Sequence, residues 1–213
     1  MADPIVYGPA VSTYVRSVRL ALEEKGVPYD LKEIDIFQGA QREPGFLALN
    51  PFGKVPAFEH DGFVLFETAA ICRYVDEAFE GPALQPADVR IRARMAQING
   101  IVTSYAYPSI ITSIVIQRAV VPMLGGTPDE EMIRGALDQA GTCIATLDGF
   151  AGESAYLAGE SISLADMLVA PVYHYLRGVP EAETLLASAG NLDGWWSRME
   201  GRESMVKTVP NLG

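Results

Sequence analysis

The spacing of apolar residues changes period several times over the first eighty positions. PIVYG, residues 4–8, is a short apolar run closed by Gly8 and Pro9, which predicts a strand. From Thr13 to Lys25 the apolar positions Val15, Val18 and Leu22 recur at helical spacing, and Gly26-Val27-Pro28 supplies the stop. YDLKEIDI, residues 29–36, alternates apolar and polar and predicts a half-buried strand. GAQREPGFLALN predicts a loop holding a short helix that ends before Pro51. PAFEH and FVLFE flank Asp61-Gly62, a strong hairpin signal. TAAICRYVDEAF is amphipathic and helical, closing near Gly81-Pro82. The predicted order over residues 1–80 is β-α-β-α-β-β-α. A helix between the first two strands makes them parallel, and the tight Asp-Gly turn makes the last two antiparallel.

EGPALQPAD has two prolines, a glycine and no periodicity, so residues 81–88 read as a linker. Everything beyond, residues 89–213, is helical in pattern. One long helix is predicted over 88–118, bent at Pro108. Others follow over 128–149, over SLADMLVAPVYHYLR, and from NLDGWWSRME. Ser163 and Asp166 have capping-box spacing, and Ile162 with Met167 makes a hydrophobic staple. His60, beside the turn, is expected on the surface, and His174 in an apolar helix is expected in the core. The fold class is therefore α/β in the first domain and all-α in the second.

Composition narrows the function. The 213 residues are 49% hydrophobic, enough for one large or two small cores, and carry a formal net charge of −11. A basic footprint for nucleic acid is absent. The most apolar segment, SIITSIVIQRAVVPML, is broken by Gln117, Arg118 and Pro122 and is too short for a membrane span. MADPIVYGPA has no basic region before an apolar run, so no signal peptide is expected. Cys72 and Cys143 have neither metal nor redox spacing and read as reduced, buried thiols of a cytoplasmic protein. No metal site is expected.

The segment NPFGKVPAFEHDGFVLFETAAICRYV, residues 50–75, raises the chemical question. Pro56 opens a strand without an N–H, while Val55 before it keeps both backbone groups. With a cis Val55–Pro56 bond those groups would face outward and pair with an extended peptide. The helix starting at Thr68 offers unpaired amides and the positive end of a dipole, which suit a carboxylate. A small peptide bearing a carboxylate would satisfy both. A structural proline and an ordinary threonine at a helix start remain the alternative.

This segment resembles the glutathione-binding region of the soluble glutathione transferases, with their N-P-x-G-x-V-P and E-[ST]-x-A-I patterns. VYGPAVSTYVRSVRLALEEKGVPYDL resembles the family's first strand, catalytic turn and first helix. YLAGESISLADMLVAPV resembles its capped second-domain helix, and GWWSRMEGRES its tryptophan-bearing closing segment. The four stand in order along nearly the whole chain, and the first is most similar to the plant phi class and bacterial serine-type members. The resemblance implies a thioredoxin-like first domain, an all-helical second domain, a homodimer and a detoxifying conjugation of glutathione to a hydrophobic electrophile. Peroxide reduction and glutathione-dependent isomerisation are further activities it allows. A non-catalytic protein that binds glutathione or hydrophobic ligands is the reading from another class.

The resemblance also implies roles for residues. The catalytic hydroxyl falls on Ser12, with Tyr7 and Thr13 as alternatives and helix capping as the structural role of Ser12. Val55, next to Pro56, would pair with the cysteinyl backbone of glutathione. Thr68 and Glu67 would hold the γ-glutamyl end. Gln41, Arg42 and Lys54 would meet the glycine carboxylate, or Arg42 and Lys54 are plain surface charges. Tyr105, Tyr107 and Ile111 would line the electrophile site, or belong to the helical core. No cysteine stands in the first turn, which argues against thiol–disulfide exchange.

Overall fold

The structure is a computed structural model that describes residues 2–210. Its chain forms two compact units. Of the described residues, the first holds 2–85 together with 200–210. The second runs from Pro86 to Met199.

The first unit contains β1 (Ile5–Tyr7), α1 (Thr13–Lys25), β2 (Asp30–Lys32), a 3₁₀ turn (Ala40–Arg42) and α2 (Pro44–Leu47). β3 (Ala57–His60), β4 (Phe63–Phe66) and α3 (Thr68–Ala78) follow, and α10 (Glu203–Lys207) returns from the end of the chain. The sheet order is β2-β1-β3-β4. β1 and β2 are parallel, and the other pairs are antiparallel. The order and strand directions are those that the alternation and the Asp-Gly turn predict, and the arrangement is the thioredoxin-like one that the resemblance implies.

α1 begins where Ser12, in an extended conformation, accepts the Val15 N–H on its hydroxyl oxygen. It ends at Gly26 in the left-handed conformation, whose amide bonds back to Leu22 and Glu23. Val15, Val18 and Leu22 of α1, Ile71 and Val75 of α3, and Val6 and Phe58 of the sheet are fully buried. They form the core on one face of the sheet.

In this unit three details differ from the sequence reading. β2 is three residues long, not eight, because β1 offers only Ile5, Val6 and Tyr7 to pair with it. His60 is buried at 6% exposure, not on the surface. Strand alternation puts it on the Phe58 face, where its Nδ1 pairs with Tyr74 Oη at 2.9 Å and its ring lies 4.7 Å from Phe79. Residues from Glu200 on join the first unit, whereas the helical pattern alone had grouped them with the second.

The second unit contains α4 (Val89–Ile101), a π-helical stretch (Val102–Val120), α5 (Val121–Met123), α6 (Glu130–Ala151), α7 (Leu164–Leu176), α8 (Ala182–Leu185) and α9 (Gly190–Met199). Asp88 and Asp129 cap α4 and α6 through their carboxylates. Pro108 lies within the π stretch. A proline in an α-helix lacks a donor and crowds the carbonyl four residues back, and a wider turn eases the crowding. His174 is half-buried against Tyr175 and Trp196 and is not a core residue.

The predicted capping box forms. Asp166 is fully buried and accepts from the backbone amides of Leu157 (3.1 Å) and Ser163 (2.8 Å), the Ser163 hydroxyl (2.9 Å) and Trp195 Nε1 (2.8 Å). One carboxylate thus ties the start of α7 to α9 and to the loop before it. Asp166→Ala leaves four buried donors without their acceptor and should lower stability by about 3 kcal/mol. Thermal unfolding checks this, and an unchanged melting temperature contradicts the role.

Candidate active site

The candidate residues of the first unit gather at one end of the sheet, and the strand register explains why. Ala57 stands opposite Tyr7 on β1 and opposite Phe66 on β4. Both pairings are antiparallel, so the next positions outward are Gly8, Pro56 and Glu67. Three segments therefore leave the sheet from a single row: the turn to Ser12, the Val55–Pro56 edge and the start of α3. The Val55–Pro56 bond is cis.

Gly8 brings the first two of these into contact. A Cβ on Gly8 would lie 2.5 Å from Val15 Cγ2 and 3.0 Å from Val55 Cβ. Only a residue without a side chain lets Val55 reach the first turn of α1, and the φ of +146° at Gly8 also favours glycine. Ser12 caps that same turn. It is half-buried, and its oxygen accepts from Val15 N at 3.4 Å. Accepting on oxygen leaves the hydroxyl hydrogen able to donate outward.

The alternatives to Ser12 are placed differently. Tyr7 Oη donates to Glu59 Oε2 at 2.7 Å, and Lys32 Nζ sits 5.2 Å from the ring centroid. Burial, with the Glu59 carboxylate, pushes the Tyr7 phenol up to about 12. Its proton is committed to a carboxylate across the sheet. Thr13 is buried at 5% exposure within the first turn of α1.

The start of α3 is bare. Glu67 occupies the capping position, makes no side-chain cap and is exposed. Its φ of 73° and ψ of 108° form a strained conformation for a residue with a side chain. Thr68 is 6% exposed. The first amides of α3 therefore present a positive terminus that no capping side chain occupies.

Gln41 and Arg42 lie on the 3₁₀ turn beside the 50–56 loop. The Gln41 carbonyl would lie 3.2 Å, and Arg42 Cγ 4.0 Å, from a Cβ on Gly53. Gln41 is half-buried and its Nε2 donates to the Ile36 carbonyl at 3.3 Å, while Arg42 and Lys54 are exposed. Asn50 was missed by sequence reasoning. It is 3% exposed, donates from Nδ2 to the Lys54 carbonyl at 2.6 Å and accepts from Phe52 N at 3.1 Å. With Gly53 N bonded to the Asn50 carbonyl, it fixes the turn that delivers Val55. The Asn-Pro dipeptide was the available signal. In the second unit, Tyr105 is 52% exposed, Tyr107 half-buried and Ile111 5% exposed. Ile111 is thus a core position and Tyr105 an outward one.

Burial pushes the Cys72 thiol up to about 12 and raises the Cys143 thiol. A hollow of about 410 Å³ beside Pro4, Val27 and Phe79 lies at the other end of the sheet. No helix among the described residues is long and apolar enough to cross a membrane. Among the same residues no His, Cys, Asp and Glu side chains cluster as a metal site would need.

Comparison with known proteins agrees with this geometry. Residues 11–78 match the family model for the glutathione S-transferase N-terminal domain, and residues 106–203 match the model for its C-terminal domain. The chain belongs to the glutathione S-transferase family. Glutathione S-transferase 3 of Zea mays is 32% identical over 211 residues, 98% of this chain and 94% of that protein. The crystal structure of glutathione transferase F7 from Populus trichocarpa superposes with a TM-score of 0.87 at 30% identity, covering 96% of this chain and 97% of that one. Maize glutathione S-transferase I, in complex with an atrazine glutathione conjugate, gives 0.84 at 28% identity over 97% and 96%. The two matched ranges fall in both units.

The strain at Glu67 has a measurable consequence. Glu67→Gly relieves a backbone cost of about 1–3 kcal/mol, partly offset by the freer unfolded chain. The variant should melt a few degrees higher in the absence of ligand, and a lower melting temperature contradicts the strain.

Proposed function

We propose that this chain binds glutathione along the Val55–Pro56 edge and the start of α3, ionises its thiol beside Ser12, and transfers the thiolate to a hydrophobic electrophile. The observation that carries this reading is that the turn to Ser12, the Val55–Pro56 edge and the bare start of α3 leave the sheet from one row. In this reading Val55 pairs with the cysteinyl backbone. The amides of α3 and the Thr68 hydroxyl take the γ-glutamyl carboxylate, and Glu67 faces the ammonium. Gln41, Arg42 and Lys54 surround the glycine carboxylate.

The chemistry asked of Ser12 is modest. A free thiol has a pKa near 8.5, so at neutral pH little of it is nucleophilic. A hydroxyl donating to sulfur favours the anion, and the positive start of α1 adds to it. Lowering the pKa by about one unit requires about 1.4 kcal/mol, within reach of one charge-assisted hydrogen bond. The thiolate then forms a carbon–sulfur bond to the electrophile, whose leaving group departs with the bonding pair. Tyr105, with Tyr107 and Ile111, is the proposed electrophile wall on the helical unit. A second copy of the chain is the expected partner. Residues 63–80 are the proposed interface in the first unit, where Phe63 and Val64 are exposed. A cytoplasmic location fits the buried, reduced thiols.

Ser12→Ala tests the assignment. The rise of kcat/KM with pH should move to higher pH by about one unit, roughly a tenfold loss below the pKa that fades above it. KM for glutathione should barely change. Tyr7→Phe should leave the pH profile in place. Unaltered turnover in Ser12→Ala moves the role to another hydroxyl. A panel of electrophiles, peroxides and maleyl compounds assayed with glutathione separates conjugation from peroxide reduction and isomerisation. Bound glutathione that titrates like free glutathione, with no turnover on the panel, supports a binding protein instead.

A further inference from the structure

The segment after the helical unit returns to α1 and runs along its back. Arg16, one helical turn from Ser12, is 1% exposed. Its Nε donates to Thr208 Oγ1 at 3.3 Å, and its Nη2 to the Met205 carbonyl at 3.2 Å. Thr208 is fully buried, and its hydroxyl donates to the Ser204 carbonyl at 2.8 Å, which holds the turn that receives Arg16. Farther along α1, Glu24 takes a two-pronged pair from Arg202 at 2.8 and 2.6 Å and the hydroxyl of Ser204. Lys207 Nζ lies 3.3 Å from Glu23, and Arg19 Nη2 donates to the Lys207 carbonyl at 3.3 Å.

These bonds fasten residues 202–208 to α1 from Arg16 to Glu24. The fastening nearest the candidate site is the buried one. Arg16 also donates its backbone amide to the Ser12 carbonyl at 2.9 Å, in the first turn of the helix. A buried guanidinium cannot shift without losing its acceptors, so its planar fork fixes the residue in both angle and depth.

We propose that the C-terminal segment, fastened through Arg16, is a positioning element for Ser12, holding the first turn of α1 at the depth from which the hydroxyl meets the sulfur. This rests on the reading of Ser12 as the thiol-activating group. Misplacing a reacting group by about 1 Å is enough to cost orders of magnitude in rate. A segment remote from Ser12 in sequence would thereby belong to the glutathione half of the reaction.

The test compares Thr208→Val, which deletes one acceptor at nearly constant shape, with Arg16→Met, which deletes the whole guanidinium. The measurements are thiolate absorbance of bound glutathione against pH and the pH profile of kcat/KM. Thr208→Val should raise the apparent pKa of bound glutathione by about 0.5, a roughly threefold loss of kcat/KM below the pKa that vanishes at high pH. KM for glutathione should stay nearly constant, because Val55 and α3 are untouched. The loss in Arg16→Met should be larger, and if that variant does not fold, Thr208→Val decides. A Thr208→Val profile that overlays the wild type overturns the proposal, whether or not the melting temperature falls. Wild-type protein whose bound glutathione titrates like free glutathione takes down the reading of Ser12 itself, and this proposal with it.

Discussion

Ala57 is hydrogen-bonded into β1 on one side and β4 on the other, opposite Tyr7 and Phe66. A slip of one residue in either ladder would move every side chain of a strand to the other face and carry Gly8 or Glu67 away from Pro56. The register is held by what lies beneath it: Val6 and Phe58 are fully buried under α1 and α3 and have no alternative position. The same burial that drives folding therefore aligns the three segments at the end of the sheet. The site inherits its geometry from the core.

On that row the polar groups divide the work. Glu59 accepts a hydrogen bond from the Tyr7 phenol and ties β1 to β3, so the tyrosine serves the sheet. Ser12 spends only its oxygen on the helix cap and keeps a hydrogen to give. Glu67 holds a conformation that costs energy and caps nothing, which leaves the start of α3 open. An uncapped, strained helix start stabilises no fold by itself. It is the part of the row that reads most plainly as kept for a ligand.

Much of this was legible in the residues. The Asp-Gly hairpin, the Gly26 stop and the Ser163–Asp166 box are local signals, and each forms as the pattern predicts. What failed was long-range. β2 is short because its partner is short, and His60 is buried because alternation outweighs its nearness to a turn. The return of residues 200–210 to α1 depends on Arg16 meeting Met205 and Thr208 across nearly the whole chain, and no local pattern encodes that. At the site, Val55 and Thr68 stood out from the proline-led strand and the helix start, and Ser12 from the family resemblance. Asn50, whose amide shapes the loop before Val55, entered only as the first residue of the N-P-x-G-x-V-P pattern. The widening of the helix around Pro108 had no signature beyond the proline itself.

A structure of this chain with glutathione bound tests the central claim most directly. The account predicts the cysteinyl backbone paired with Val55, the γ-glutamyl carboxylate on the first amides of α3, and sulfur within hydrogen-bond distance of Ser12 Oγ. Glutathione seated away from the Pro56 edge, or with its sulfur turned toward the Tyr7–Glu59 pair, would contradict it.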